Sequence, residues 1–271
     1  GSDVGALKTK AKKNADGTYT ITGQKIFISS GENDYYKNMI HPVLARIEGD
    51  PAGTKGISIF MVPKFWIKDD GSMGEHNDVI CTGIEHKMGI TASATCSMSF
   101  GDNGKCRGLL MGEERMGMKI MFQMMNEARL FVGSQGMSVS SSSYMHAVTY
   151  AKNRIQSPEA GGAPDKGVPI IRHPDVKRML LSMKSRVEAM RALTYFIAQN
   201  IDLEEVESGE RKQEAQALVE WLIPINKAGN TDSGWEITGD GIKVFGGYGF
   251  IEEYHMAQNE RDSKIFCLYE G

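Results

Sequence analysis

Pro174-Asp175-Val176-Lys177-Arg178-Met179-Leu180-Leu181-Ser182-Met183-Lys184-Ser185-Arg186-Val187 opens a run in which Val176, Met179, Leu180, Met183, Val187, Met190, Leu193 and Ile197 recur at steps of one, three or four. That period places them on one stripe of an amphipathic helix. Pro174 suits its first turn, where a missing amide donor costs nothing. Working outward, the apolar spacing predicts a second helix over about 114–152. A third starts near Arg211 and carries Leu218, Trp221, Leu222 and Ile225 on one side. The Pro- and Gly-rich stretch 157–167 between the first two is a surface excursion. Met111, Met116, Met118, Met121, Met124 and Met125 read as core filler.

Toward the N-terminus the period changes. Short β-branched and aromatic runs, Tyr19-Thr20-Ile21-Thr22, Lys25-Ile26-Phe27-Ile28-Ser29 and Gly56-Ile57-Ser58-Ile59-Phe60-Met61-Val62, alternate with Gly and Asp turns. Strands at Thr95–Phe100 and Arg107–Leu110 are expected to join across Gly101-Asp102-Asn103-Gly104. The chain therefore reads as α+β and multidomain: an antiparallel β-barrel or sandwich over residues 1–112, then an antiparallel α-helical bundle over 113–271.

The charges nearly cancel, with 31 basic and 34 acidic side chains and a formal charge of −3, which gives no broad attraction for nucleic acid or an anionic membrane. Lys8, Lys10, Lys12 and Lys13 read as a solvated strand edge. Cys81, Cys96, Cys106 and Cys267 lack metal-site spacing, so no metal is expected and reduced thiols are the default. No apolar run approaches the roughly 20 residues that span a bilayer. The expectation is a soluble, cytoplasmic protein.

Phe245-Gly246-Gly247-Tyr248-Gly249-Phe250 is a glycine-rich bend that could admit a phosphate or simply end a helix, and no βαβ context makes it a dinucleotide fingerprint. Glu270 alone is one carboxylate among many. Together, Ile242–Phe250, Arg261-Asp262-Ser263-Lys264-Ile265 and Tyr269-Glu270-Gly271 closely resemble the C-terminal signature of the acyl-CoA dehydrogenases. The resemblance runs the whole length. Gly1-Ser2-Asp3-Val4 resembles part of the family's Thr-Glu-Pro-x-x-Gly-Ser-Asp segment, and Gly23–Ser29 its flavin-facing strand, with Phe27 where many members have Trp. Gly83–Ile90, Met124–Arg129 and His173–Leu181 look most like the branch that acts on 3-methylmercaptopropionyl-CoA. Family members normally carry helices before and after these segments, so the chain reads as truncated at both ends.

The resemblance implies FAD-dependent α,β-dehydrogenation of an acyl-CoA thioester to the trans-2-enoyl-CoA. The substrate would be 3-methylmercaptopropionyl-CoA or a short- or medium-chain acyl-CoA. Glu270 would take the α-proton. Phe27, Ile28, Ser29, Arg154, His173 and Pro174 would contact the flavin, as would Lys243, Gly246 and Gly247 from a neighbouring subunit, Lys243 standing where Gln is common. Ser2, Asn126, Arg129 and Gly271 would line the acyl-CoA path. A homodimer or homotetramer and an electron-transfer flavoprotein as acceptor are implied too. The rival readings are a non-catalytic binding or assembly module, and an acyl-CoA oxidase that passes electrons to oxygen.

Overall fold

The computed structural model describes residues 3–270, so the expectations for Ser2 and Gly271 lie outside the described residues. Two compact units divide between Met124 and Met125.

Among its described residues the first unit holds nine strands: β1 Lys10–Lys13, β2 Tyr19–Ser29, β3 Ile40–Ile47, β4 Ile57–Pro63, β5 Phe65–Ile67, β6 Met73–His76, β7 Val79–Ile84, β8 Thr95–Phe100 and β9 Arg107–Leu110. Seven of them run in the order β1-β3-β4-β9-β2-β8-β7, and β1 also pairs with β2, which closes a small barrel. Closure corrects the reading of the lysine cluster: β1 is paired on both sides, parallel to β3 and antiparallel to β2, and so is no edge. Its lysines alternate with buried Ala11 and face solvent.

Strand β2 makes the barrel possible because it serves several partners in turn. Tyr19–Thr22 pair with β1, and Gly23–Ser29 pair with β8. The change of partner falls at Gly23, φ 151°, where an added Cβ would lie 2.8 Å from Thr9 Cα. Only glycine tolerates that approach. Ile21, Phe60, Val62, Met98 and Phe100 fill the interior.

The expected join of the Thr95–Phe100 and Arg107–Leu110 strands is also corrected. β8 and β9 flank β2 and do not pair with each other. The loop between them is instead captured by Asp78, whose carboxylate accepts Asn103 N (2.8 Å), Asn103 Nδ2 (2.8 Å) and Lys105 N (3.2 Å).

The helices are α1 Gly117–Asn153, α2 Pro174–Val206, α3 Gly209–Phe245, α4 Gly247–Phe250 and α5 His255–Ser263. On α2 the expected stripe is the buried one: Met179, Leu180, Met183, Val187, Met190 and Ile197 all point inward. On α3 the expected stripe is rotated. Trp221 and Ile225 are exposed, and the inward face is Ala215, Val219, Ile223, Asn226 and Asn230. Polar residues on that face, bonded to one another, hide it from a reading based on apolar period alone. The six clustered methionines are not core filler: each is half-buried or exposed, on a stretch that straddles the boundary between the two units.

Candidate functional site

In the second unit the chain leaves α5 through a 3-10 turn, Lys264–Cys267, and ends in a short tail. Buried Phe266 roots the turn, and Ser263 Oγ shares a hydrogen bond of 3.1 Å with Thr238 Oγ1 of α3. The tail is then pinned to α1 twice. Tyr269 OH donates to Gln135 Oε1 at 3.3 Å, and Arg129 Nε donates to the Glu270 carbonyl at 2.9 Å. Burial, reinforced by the charge of Glu270, raises the Tyr269 phenol above its ordinary value. Glu270 has φ 62°, a left-handed conformation that non-glycine residues rarely adopt. Among the described residues its carboxylate makes no hydrogen bond or ion pair, which leaves it available as a proton acceptor.

Close approach of α1 and α3 brings the surrounding cations together. Asn230 Nδ2 donates to the Gly133 carbonyl, and a Cβ on Gly133 would stand 2.1 Å from Asn226 Nδ2. One turn from Gly133 is Arg129; next to Asn226 is Lys227, only 3% exposed. Burial lowers the Lys227 pKa, while Cys267, Glu270 and Asp232 act in the opposite direction.

A separate cavity of about 710 Å³ in the same unit is lined by Arg154, His173, Lys243, Gly246, Gly247 and Tyr248. The Arg154 guanidinium lies 5.6 Å over the Tyr248 ring and makes no ion pair among the described residues. Lys243 reaches Asp240 at 3.0 Å but stays well exposed. Gly246, φ 63°, ends α3, and a Cβ on Gly246 or Gly247 would meet nothing within 4 Å, so the backbone there is open. Tyr150, stacked on Phe245 at 4.1 Å, also lines this cavity. Burial raises the Tyr150 phenol, and Arg154 partly offsets it. His173 Nε2 lies 2.8 Å from the Gln156 carbonyl, and Pro174 begins α2. A cationic wall beside open glycine backbone and stacked rings suits a phosphate-bearing aromatic ligand.

In the barrel unit, β2 bulges between Lys25 and Ile28. Phe27 sits in that bulge at φ 58° and is 68% exposed, Ile28 packs against the barrel core, and Ser29 pairs with Thr95. The bulge aims an aromatic outward from an otherwise regular strand.

The structure thus gathers Arg154, His173, Lys243, Gly246 and Gly247 at one cavity and Arg129 with Glu270 at another place, while Asn126 is exposed on α1 near Arg129. Sequence reasoning missed Lys227, Gln135, Tyr150 and Tyr248. Lys227 could have been found as a charge inside the inward stripe of α3, had that stripe been read in its polar register.

A family model described as the acyl-CoA dehydrogenase C-terminal domain matches residues 115–271, and one described as the acyl-CoA dehydrogenase middle domain matches residues 1–103. The chain is 43% identical over its whole length to a 3-methylmercaptopropionyl-CoA dehydrogenase of Ruegeria pomeroyi, and 45% identical to a butyryl-CoA dehydrogenase of Syntrophomonas wolfei. It spans 46% of the length of each. The solved butyryl-CoA dehydrogenase of Megasphaera elsdenii matches all of this chain, and 61% of its own, at TM-score 0.78 and 30% identity. No helix among the described residues is long and apolar enough to cross a membrane. The matched domains, the barrel followed by the bundle, and the tail ending in Tyr-Glu-Gly agree: the chain belongs to the acyl-CoA dehydrogenase family.

Proposed function

We propose that this chain carries the catalytic half of an FAD-dependent enzyme that converts an acyl-CoA thioester to its trans-2-enoyl-CoA, with Glu270 as the base. The observation that carries this reading is the tail itself: Glu270 is held in a left-handed backbone by Arg129 while its carboxylate stays uncommitted among the described residues. A carboxylate near its reference pKa of about 4.3 is a weak base toward a carbon acid. Entry of an apolar acyl chain would desolvate it and strengthen it as the proton leaves the α-carbon.

FAD, when bound, supplies the acceptor for the β-hydride. Arg154 and Lys243 would hold its phosphates, the open backbone at Gly246 and Gly247 would let it approach, and His173 and Pro174 would complete that wall. Phe27, Ile28 and Ser29 would form a platform for its ring, and Ser2, Asn126, Arg129 and Gly271 would line the acyl-CoA path. In this division residues 1–112 supply flavin and substrate contacts and 113–271 carry the base. The relatives' names favour 3-methylmercaptopropionyl-CoA or a short-chain acyl-CoA as substrate. A homodimer or homotetramer acting in the cytoplasm, with an electron-transfer flavoprotein as acceptor, completes the proposal.

The test is anaerobic titration of the flavin-loaded protein with a panel of acyl-CoAs, followed by visible absorption. Bleaching by one of them is expected, and Glu270→Gln should retain flavin yet lose bleaching by at least a thousandfold, within the range that removal of an essential base or nucleophile costs. Equal bleaching by the Gln variant would remove Glu270 from the role.

A further inference from the structure

A second cavity of the helical unit, about 590 Å³, opens between α1 and α2, and none of the roles above uses it. Its α1 wall comes from the run Ser138-Val139-Ser140-Ser141-Ser142-Ser143, which divides by face. Ser140 and Ser143 are fully buried and spent on structure. Ser140 Oγ donates to the Gly136 carbonyl at 2.6 Å, and Ser143 Oγ accepts from Asn259 Nδ2 of α5 at 2.9 Å. Ser138, Ser141 and Ser142 line the cavity instead. Alanine would suit a merely solvated helix face better than serine, so these three hydroxyls call for another reason.

From α2, Arg191 and Tyr195 enter the same cavity one turn apart. Half-buried Arg191 donates through Nη2 to Ser141 Oγ at 2.9 Å and makes no ion pair among the described residues. Most of its N–H groups are left without a protein acceptor. By accepting that bond, Ser141 keeps its own proton to donate outward. Ser138 Oγ and Tyr195 OH make no hydrogen bond among the described residues. His146 completes the rim, with Nδ1 3.0 Å from the Ser142 carbonyl, and no aspartate or glutamate among the described residues lines the cavity. A guanidinium and free hydroxyls with no carboxylate beside them attract an anion. Because these donors come from two helices, they suit the several oxygens of a tetrahedral group better than a planar carboxylate. Met145 and Tyr195, both mostly exposed, flank them with apolar surface, and the Tyr195 ring is flat.

We propose that this cavity is a second ligand site, which takes a phosphate monoester bearing a flat ring, in class a nucleoside monophosphate. Arg191, Ser141 and Ser138 hold the phosphate, and Tyr195 supports the ring. The site is independent of the role assigned to Glu270.

The experiment is calorimetric titration of the intact flavin-loaded protein with AMP, adenosine and inorganic phosphate as probes. AMP should bind without releasing flavin and with unchanged affinity when butyryl-CoA is saturating. Adenosine should bind at least about tenfold more weakly. Arg191→Gln should weaken AMP binding by about 10- to 100-fold, the loss expected from a charge-assisted hydrogen bond, and Ser141→Ala should weaken it less, with flavin content retained in both. Tyr195→Ala should weaken AMP binding and leave inorganic phosphate unchanged. AMP binding that releases flavin or is displaced by butyryl-CoA would overturn the proposal, because the nucleotide would then occupy the cofactor or substrate path. Adenosine binding as tightly as AMP would overturn it too, as would wild-type AMP affinity in folded Arg191→Gln and Ser141→Ala, or no AMP binding by the wild-type protein.

Discussion

Glu270 carries a conformational cost that the proposed role as base would explain. A non-glycine residue at φ 62° sits in a region that disfavours a Cβ by roughly 1–2 kcal/mol, and at functional sites such strain persists because its surroundings enforce it. Glu270→Gly is therefore expected to raise stability by about 1 kcal/mol in chemical denaturation while eliminating flavin bleaching. A fall in stability would mean that the tail is held by the Glu270 side chain and not by Arg129. Arg154 is predicted to act through charge alone, since it contributes only a ring contact to the fold. Arg154→Ala should weaken FAD binding by about 10- to 100-fold, the equivalent of one lost charge-assisted hydrogen bond, with little change in melting temperature. Fluorescence titration of the apoprotein measures it.

Among elements, the crossing of α1 and α3 is tightly packed. A methyl group on Gly133 would collide with Asn226, whose amide already serves Thr194 and Asn230. Gly133→Ala should cost about 1–3 kcal/mol by overpacking, read from urea midpoints. The elements show why part of the fold was legible in sequence and part was not. The α2 stripe was readable because its inward residues are apolar and evenly spaced. The α3 stripe was not, because Asn226, Lys227 and Asn230 bury polar atoms that pattern reading assigns to solvent. The runs at Tyr19 and Lys25 looked like two strands but are one, β2, bent at Gly23. Likewise the Gly101–Gly104 turn promised a hairpin, but in the fold Asp78, distant in sequence, ties that loop down. Gly246, Gly247 and Glu270 stand in blocks whose spacing carried the resemblance, whereas Lys227 escaped notice because it lies on the polar inward face of α3.

For the molecule as a whole, the two units should answer acid differently. In the barrel unit, burial depresses the His41 pKa. For Asp78 burial pushes upward, but the bonds from Asn103 and Lys105 outweigh it and the pKa is lowered. Both groups bind a proton less readily folded than unfolded, so stability is present above their ordinary values, about 6.5 and 3.9, and is lost as pH falls below each in turn. In the helical unit, burial raises Glu260. Its contribution has the opposite sign: present at low pH and lost as pH rises through the elevated value. Amide hydrogen exchange between pH 4 and 7 should show protection in the barrel falling on acidification more steeply than in the bundle. His41→Phe should flatten the barrel's upper limb.

The closed barrel also has a consequence during synthesis. Strand β4, Ile57–Pro63, is an uncharged β-branched and aromatic segment of the kind that seeds cross-β aggregates. In the finished molecule it is sheltered by β3 along its whole length and by β9 at Phe60 and Met61. On the ribosome β3 is already present when β4 emerges, but β9 lies more than forty residues further on. For that interval the nascent chain shows a sticky flank to its neighbours, and the yield of soluble protein should depend on translation speed and chaperone supply between β4 and β9 more than on the stability of the folded barrel.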